Sequence, residues 1–503
     1  MDWITLKSGT DVRGIAVGDG MTLTEEIARA LGSAFVRMLA ETRKKPLSHI
    51  TVALGRDSRI TGPALLNAVA EGVSASGATA VCFGLCTTPA MYMSTITPEF
   101  EPDGAVMITA SHHPWNRNGL KFFTSRGGLT GKEIEALLRD AQSNGAPAAE
   151  TEGRIIDRPF LPVYMEQLAS RVRKGLATGD EKPLNGLHVV VDAGNGAGGF
   201  YEQLMKSLGA DTSGSQFLDP DGYFPNHIPN PENPNAMAFL KKAVISSGAD
   251  LGVIFDADCD RAAIVDADGK EINRNRLIAL ISAILLEQKA GQTIVTDSVT
   301  SSGLSDFIAA HGGEHYRFKR GYRNVIDEAI RLNAEGRNCP LAIETSGHAA
   351  LQENHFLDDG MYLVTVLIVQ AMLMKRQGKT LGSVIADLRE PEESTEIRLA
   401  ITAEDFHTAG QHAIDSVLQK AAEDPDWHLA PDNREGVRVN FDLDGKEKSA
   451  WFLLRLSVHD PVLPLNAESD VKGGVLTMLR SLYEVIKPLD GIDLVPLREA
   501  IGE

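Results

Sequence analysis

Three aspartates alternate along one short segment of the chain. Asp256, Asp258 and Asp260 lie in the sequence DADCDR, directly after the apolar run LGVIF. Hard divalent cations such as Mg²⁺ prefer oxygen ligands, and a tight turn that brings these carboxylates together would supply them. Arg261 follows at once and would give an anion bound to the metal a second, forked donor. The pattern predicts a cation site, with a solvated acidic turn as the alternative.

A second reactive segment is TASHHPWNRNGLKFF, in which Ser111 comes shortly after the apolar run AVMIT. It places the hydroxyl of Ser111 beside the imidazoles of His112 and His113, with the ammonium of Lys121 further along. This combination suits nucleophilic or phosphoryl-transfer chemistry. A serine hydrolase would carry GxSxG, which is absent here. The alternative is a turn that displays histidines on the surface.

The third segment is ETSGH, in which Glu344, Ser346 and His348 share a turn with a glycine. Carboxylate and hydroxyl groups in such a turn are the partners that neighbouring sugar hydroxyls require. Taken alone, this segment is equally compatible with an ordinary polar turn.

A glycine-rich segment, GNGAGG at 194–199, fits the dinucleotide fingerprint GxGxxG. However, Asp192 stands where a carboxylate would face the pyrophosphate. No acidic residue follows at the end of a second strand, about 20 positions on, where the fingerprint expects one. We therefore interpret the glycines as a tight strand-to-helix turn.

The elements that must position these segments follow one plan, repeated three times. Segments beginning at His49, Leu187 and Gln292 each read as a strand, a polar loop and an amphipathic helix, and each precedes a buried strand that runs into a reactive loop. Alternating strands and helices predict α/β domains with mixed or parallel sheets, whose ligands bind beyond the carboxyl ends of the strands. After about residue 390 the pattern changes to α+β. We predict three similar α/β domains and a fourth α+β domain around a central cleft, with boundaries at 1–153, 154–273, 274–389 and 390–503.

The composition excludes several classes of protein. A net charge of −19 argues against nucleic acid or an anionic membrane surface as a partner. Four cysteines in 503 residues exclude a disulfide scaffold. The most apolar run, MYLVTVLIVQAMLM at 361–374, is shorter than the roughly 20 residues of a membrane span and predicts a buried helix. With no apolar core of signal-peptide length at the N-terminus, we expect a cytoplasmic protein, either monomer or homodimer.

Together these segments resemble a known family. TASHHPWNRNGLK resembles the active-serine loop of the α-D-phosphohexomutase superfamily, DADCDR its metal loop, and ETSGH its sugar-binding loop, in the same order. SGTDVRG, GRDSR, DPDGYFPNHIPNPENP and FKRGYRNVI match it as well, so that the similarity spans about residues 8–470. The family has three related α/β domains and a fourth α+β domain, which agrees with the organisation predicted above.

The resemblance implies an activity and its cofactors. The chain is expected to interconvert hexose 1-phosphates and 6-phosphates of glucose or mannose, through a phosphoserine at Ser111 and a bisphosphorylated sugar that also serves as activator. One Mg²⁺ per chain would be held by Asp256, Asp258 and Asp260, with a phosphate oxygen of Ser111 as a further ligand.

The resemblance also implies roles for other residues. The donors or proton-transfer groups around the phosphoserine would be Arg13, His112, Lys121 and Arg261, and the choice of general acid and base stays open among them. The substrate would be bound by Lys319, Arg323, Glu344, Ser346 and His348.

Three departures from the family pattern bear on these expectations. His113 replaces an asparagine, and Ala257 and Cys259 replace the two glycines of the metal loop. The phosphate-binding loop of the last domain, R-x-S-G-T-E-P in the family, reads RLSVHDP here, and the arginine usual just downstream is absent. We predict that Arg455, Ser457 and His459 hold the phosphate in this chain. The alternatives are an amino-sugar phosphate mutase and a non-catalytic relative that binds sugar phosphates.

Overall fold

A computed structural model describes residues 1–146, 152–457 and 460–503. The first apolar strands of the chain form an eight-stranded sheet. Its strand order is β1-β2-β6-β5-β3-β4-β8, with β7 beside β6, and β3, β4, β5 and β8 are parallel. The elements are β1 (Lys7–Ser8), β2 (Asp11–Ile15), α1 (Glu25–Arg43), β3 (Thr51–Arg56), α2 (Gly62–Ala75), β4 (Thr79–Leu85), α3 (Thr88–Ser94), β5 (Gly104–Ile108), β6 (Arg117–Thr124), β7 (Gly127–Gly128), α4 (Gly131–Asn144), β8 (Arg154–Asp157) and α5 (Leu161–Gly175). Leu31, Phe35, Val106 and Phe122 are fully buried members of the core between this sheet and its helices.

The second sheet carries the metal loop between two of its strands. Its elements are β9 (Val189–Asp192), α6 (Phe200–Ser207), α7 (Pro234–Ser247), β10 (Leu251–Phe255), β11 (Ala262–Asp266) and β12 (Glu271–Ile272). β10 is parallel to β9 and antiparallel to β11. Every residue of β10 is buried, as expected for an apolar strand with covered faces.

The third set of elements again alternates strand and helix. It contains α8 (Arg274–Gln288), β13 (Thr293–Thr296), α9 (Ser302–Ala310), β14 (Glu314–Arg317), α10 (Tyr322–Ala334) and β15 (Leu341–Ile343). β13 pairs in parallel with both β14 and β15. The hairpin β16 (Ala349–Leu351) and β17 (Leu357–Asp358) then leads into α11 (Gly360–Arg376). α11 contains the run 361–374 and packs against α5, so the predicted buried helix is confirmed.

The C-terminal part is an antiparallel sheet with helices on it. Its strands run in the order β18-β22-β21-β20-β19. The elements are β18 (Glu393–Ala400), α12 (Phe406–Glu423), β19 (His428–Leu429), β20 (Val437–Leu443), β21 (Lys446–Leu454), β22 (Val462–Ser469), α13 (Gly474–Ile486) and α14 (Val495–Ile501). Val439, Phe452, Leu465 and Leu482 lie in its core.

The chain divides into two compact units. The first comprises Met1–Asn273 and Ser346–Ser383, and the second Arg274–Thr345 and Val384–Glu503. The predicted fold class, α/β elements followed by an α+β region, is confirmed, while the four domain boundaries stay a prediction. No helix among the described residues has the length and apolar character needed to cross a membrane.

Candidate active site

Ser111 stands just beyond the carboxyl end of β5, on a strained turn. All five residues of β5 are buried, so the strand fixes where the loop begins. Ser111 is fully buried and adopts the left-handed conformation, with φ of +52°. A residue with a side chain adopts this conformation at a cost of about 1–2 kcal/mol. Its Oγ donates to Asp256 Oδ2 at 2.8 Å, and His112 Nδ1 lies 3.2 Å away.

The three aspartates after β10 converge as predicted. Each offers one carboxylate oxygen, and the three oxygens lie within 4.8 Å of one another. The turn reaches this shape because Cys259 takes a left-handed φ of +65°, whereas Ala257 does not. Only the second of the two glycine replacements therefore carries a side chain in a conformation that favours glycine.

The chemistry of this cluster fits a cation. Asp256, Asp258 and Asp260 are all buried, and Asp258 Oδ1 and Asp260 Oδ1 make no hydrogen bond within the described residues. Burial raises the pKa of Asp256 well above its usual range, and the charges of Asp260 and Asp258 raise it further. Burial and Asp260 likewise raise the pKa of Asp258. A divalent ion would satisfy the free oxygens and relieve this repulsion.

Cationic groups border the cluster. Lys121 Nζ donates to Asp260 Oδ2 at 2.9 Å and lies 3.7 Å from Asp11 Oδ2, which also accepts from Arg13 Nη2 at 2.8 Å. Although burial alone would raise the pKa of Asp260, Lys121, His348 and Arg261 together bring it below its usual value. Asp260 is thus the carboxylate of the cluster that keeps its charge most readily.

His112 is held neutral beside Ser111. Arg261 Nη2 lies 2.8 Å from His112 Nδ1, the same nitrogen that faces the Ser111 hydroxyl. Burial, Arg261 and His113 lower the pKa of His112 to about 2. In this arrangement the Arg261 guanidinium donates to His112 Nδ1. The lone pair of Nδ1 is therefore not available to take the proton of Ser111.

The first unit also brings part of the ETSGH loop to the metal loop. Gly347 has a left-handed φ of +92°, and a Cβ there would lie 2.9 Å from the Ala262 carbonyl. His348, buried, hydrogen-bonds through Nδ1 to Asp358 Oδ2, and Asp260 lies in the same cluster. Burial and Arg261 lower the pKa of His348, but the Asp358 and Asp260 carboxylates raise it and the net shift is upward. Ser346 is buried in the same loop.

The remaining predicted binding residues belong to the second unit. Glu344 follows β15 and its Oε1 accepts from Gly321 N at 2.6 Å, which ties it to the loop that carries the exposed Lys319. Arg323 pairs with Asp327 at 2.8 Å on α10. These observations place Glu344 and the Lys319 loop together.

Arg455 and Ser457 follow β21 in the C-terminal sheet. Arg455 is buried, and its Nε makes no hydrogen bond to any described residue. Burial lowers the pKa of Arg455, while Glu435 acts against this shift. Ser457 Oγ accepts from Asp460 N at 3.3 Å. The predicted phosphate contact of His459 lies outside the described residues.

Comparison with known proteins gives the family. Models of the phosphoglucomutase/phosphomannomutase α/β/α domains I, II and III match residues 6–147, 162–269 and 273–391 in that order. The chain belongs to this family. The predicted membership of the α-D-phosphohexomutase superfamily is therefore confirmed, as is the prediction of an isomerase.

Relatives match over nearly the whole chain. A phosphomannomutase/phosphoglucomutase of Pseudomonas putida is 31% identical over 464 residues, which are 92% of this chain and 90% of that one. A phosphoglucomutase of Neisseria gonorrhoeae is 30% identical over 480 residues, which are 95% of this chain and 95% of that one. The crystal structure of a phosphoglucomutase/phosphomannomutase family protein from Burkholderia thailandensis has a TM-score of 0.78 at 26% identity, covering 97% of this chain and 98% of that one.

Two contacts of this phosphohexomutase site were missed by the sequence analysis. Thr88 Oγ1, at the start of α3, donates to Asp258 Oδ2 at 2.5 Å across 170 residues of sequence. Asp358, in β17, orients His348. No sequence pattern marks Thr88, because Thr87 caps α3 and the contact of Thr88 with Asp258 spans 170 residues of sequence.

The glycine-rich segment 194–199 has a structural purpose at this site. It packs on the metal loop, with Ala197 N donating to the Ala257 carbonyl at 2.9 Å. A Cβ at Gly196 would come within 2.8 Å of both the Cα and the carbonyl oxygen of Ala257. The glycine therefore allows two backbones to approach closely, which explains the motif without a nucleotide.

We expect Gly196→Ala to weaken metal binding by displacing the metal loop, because the added methyl meets backbone that cannot rotate away. The measurement is the Mg²⁺ concentration that gives half-maximal activity, which should rise. Gly179→Ala is the matched control, since a Cβ there meets nothing within 4 Å. Unchanged Mg²⁺ dependence of Gly196→Ala would show that the contact does not support the loop.

Proposed function

We propose that this phosphohexomutase interconverts the 1-phosphates and 6-phosphates of glucose and mannose, with a phosphoserine at Ser111 and a bisphosphorylated sugar as intermediate. The observation that carries the proposal is the Ser111 hydroxyl, aimed at the carboxylate cluster 2.8 Å from Asp256 Oδ2. Relatives named phosphoglucomutase and phosphomannomutase/phosphoglucomutase support the choice of sugars.

The metal of the proposed reaction is Mg²⁺, held by Asp256, Asp258 and Asp260 together with a phosphate oxygen of the phosphorylated serine. When bound, it neutralises charge that develops on the transferring phosphoryl group. In the forward step the bond between Ser111 Oγ and phosphorus breaks and a bond from phosphorus to the sugar hydroxyl oxygen forms. The proton of that sugar hydroxyl passes to a base, and the departing Ser111 Oγ takes up a proton to become a hydroxyl. The second step reverses this at the other end of the sugar and restores the phosphoserine.

The cationic groups around Ser111 would serve binding more than proton transfer. Arg261 Nε lies 3.8 Å from Asp256 Oδ2, and Lys121 Nζ lies 2.9 Å from Asp260 Oδ2. Fixed positive charge at these places stabilises phosphoryl oxygens without reorganisation. Arg13, held by Asp11, extends the same positive rim.

In the proposed substrate complex, Glu344, Ser346 and His348 bind sugar hydroxyls. The family resemblance supports this assignment, and the N–H of Gly321 holds the Glu344 carboxylate in place. The phosphate that is not reacting is bound by Lys319, Arg323, Arg455 and Ser457, with His459 as a further donor. A sugar bisphosphate acts as activator, because it phosphorylates any Ser111 that has lost its phosphate.

The setting of the reaction is also part of the proposal. We expect a cytoplasmic protein, monomer or homodimer, that acts on hexose phosphates without nucleic acid or a membrane as partner. The net charge of −19 supports this expectation.

Arg455→Ala is expected to lower kcat/KM by about 10- to 150-fold, the value of a charge-assisted contact worth about 1.5–3 kcal/mol. Phosphorylated Ser111 should still form, because Arg455 serves the distant phosphate. Steady-state kinetics and intact mass measure both effects. Arg480→Ala, at an exposed position on α13, is the control and should leave kcat/KM unchanged. A normal kcat/KM for Arg455→Ala would contradict the assignment.

The test of the proposed function is a coupled assay with glucose 1-phosphate, mannose 1-phosphate and glucosamine 1-phosphate, each with a trace of bisphosphate. Mass spectrometry maps the phosphate on the protein. Conversion of the glucose and mannose compounds with phosphate at Ser111 is the expected result. Conversion of glucosamine 1-phosphate alone would indicate an amino-sugar enzyme, and no conversion at all a non-catalytic relative.

A further inference from the structure

A fully buried arginine lies beneath the phosphoserine loop. Arg59 belongs to the GRDSR segment after β3, and its side chain has no exposed surface. Its two terminal nitrogens donate to main-chain carbonyls of the loop that carries Ser111. The acceptors are the carbonyl oxygens of Pro114 and Arg117 at 2.8 Å from Nη1, and those of Ser111 and His113 at 2.5 and 2.6 Å from Nη2.

A second set of contacts joins Arg59 to the main-chain N–H of Ser111. Asp57 Oδ2 lies 3.2 Å from Arg59 Nε and accepts from Thr109 Oγ1 at 2.7 Å. Thr109 Oγ1 in turn accepts from the main-chain N–H of Ser111 at 2.8 Å. The N–H and the C=O of Ser111 are therefore both bound by one connected group of side chains, Asp57, Arg59 and Thr109, which we call the brace.

The segment DPDGYFPNHIPNPENP closes the remaining side of the brace. The guanidinium carbon of Arg59 lies 5.2 Å from the centre of the Phe224 ring. Gly222 lies so close to the brace that a Cβ there would meet Ser58 O at 2.5 Å and Ile60 N at 2.4 Å. The arginine is thus excluded from water on both faces, and its charge is committed to Asp57 and to the loop carbonyls.

We propose that Arg59 is a positioning residue for phosphoryl transfer at Ser111. It holds Ser111 in the left-handed conformation that directs Oγ at Asp256, a conformation that a serine would otherwise leave. This inference rests on the proposed phosphoserine mechanism.

The type of residue matters as much as its charge. A planar guanidinium presents several donors in a fixed fork, whereas a lysine ammonium is a single flexible point. Lysine at position 59 would keep the ion pair with Asp57 but would leave some of the carbonyls without a donor. The loop would then relax, and a displacement of about 1 Å at the reacting atom costs about 100-fold in rate.

The experiment measures single-turnover transfer from labelled glucose 1,6-bisphosphate to dephosphorylated protein, with thermal unfolding in parallel. For Arg59→Lys we expect the transfer rate to fall about 100-fold, with little change in the bisphosphate concentration that half-saturates it. Arg37→Lys is the matched control: Arg37 also binds an aspartate and a carbonyl of the first unit, Asp140 and Gly145, but remote from Ser111 in sequence and hydrogen bonding. Its transfer rate should equal that of the wild type.

A purely structural role of Arg59 predicts lower stability and a normal rate per folded molecule, and that result would overturn the proposal. If Arg59→Lys does not fold, Thr109→Val decides, because it removes the hydroxyl that joins the N–H of Ser111 to Asp57 and leaves the Arg59 side chain unchanged. A normal transfer rate in that variant would also overturn the proposal. Failure of the wild-type protein to accept phosphate at Ser111 would instead refute the proposed function.

Discussion

Replacing Ser111 by alanine or by glycine is expected to abolish mutase activity, and the glycine variant is expected to be the more stable of the two. Removal of a covalent nucleophile in other enzymes costs roughly 10⁶-fold in kcat, and both variants lose the hydroxyl that accepts the phosphoryl group. They differ in backbone cost, since position 111 has a φ of +52°. Alanine bears the cost of the left-handed conformation and glycine does not, but glycine also loses more freedom on folding. We therefore expect the free energies of unfolding of the two variants to differ by about 1 kcal/mol.

The pair of variants separates chemistry from conformation. Activity comes from the coupled assay, and stability from unfolding by denaturant of the two variants side by side. Ser213→Ala, at an exposed position in the same unit, is the control for loss of a hydroxyl and should stay active. Activity near wild type in either Ser111 variant would eliminate the phosphoserine mechanism. Equal stability of the two would show that the left-handed turn is not retained without the hydroxyl.

The reactive loops were predictable because each is local. Ser111 and Asp256, Asp258 and Asp260 follow apolar runs that form β5 and β10, and strand ends are where α/β folds place ligands. What the sequence did not reveal is how the loops are held. The carbonyl groups that accept from Arg59 lie 52 to 58 residues away, and Thr88 lies 170 residues from Asp258. Such contacts depend on the packed tertiary structure, which local patterns do not encode.

The C-terminal sheet contains a strand, β22, that the local sequence pattern does not indicate. The alternating segment EESTEIRLAITAEDF and the apolar segments VRVNFDL and AWFLLRLSV indicate β18, β20 and β21, and the pattern from about Val475 to Ile486 indicates α13. No such pattern indicates β22. It contains Pro464, and proline is ordinarily excluded from central strands because it donates no hydrogen bond. Here β22 nevertheless lies between β18 and β21. The Pro464 carbonyl accepts from Arg455 N at 3.1 Å, so the strand keeps its acceptor at that position.

Asp258→Asn is expected to abolish metal-dependent activity and yet to stabilise the metal-free protein. Three buried carboxylates whose oxygens lie within 4.8 Å repel one another when no cation is bound. Two charges at about 4 Å interact by about 4 kcal/mol at an effective dielectric constant near 20, and Lys121, 4.0 Å from Asp258, offsets part of this. Asparagine at position 258 keeps an oxygen that can accept from Thr88 but carries no charge. It therefore removes the repulsion with Asp256 and Asp260, and it also removes a charged ligand of the metal.

The measurement is thermal unfolding of wild type and variant after EDTA treatment, and again with added Mg²⁺. Without metal, Asp258→Asn should unfold at the higher temperature; with Mg²⁺, the wild type should gain stability and the variant should not, because binding to the folded state alone adds to stability. Asp268→Asn, in the exposed turn between β11 and β12, is the matched control and should respond to Mg²⁺ like the wild type. Full turnover by EDTA-treated wild type would remove the metal from the mechanism. A lower unfolding temperature for metal-free Asp258→Asn would mean that the attraction of Lys121, rather than repulsion among the carboxylates, dominates the cluster.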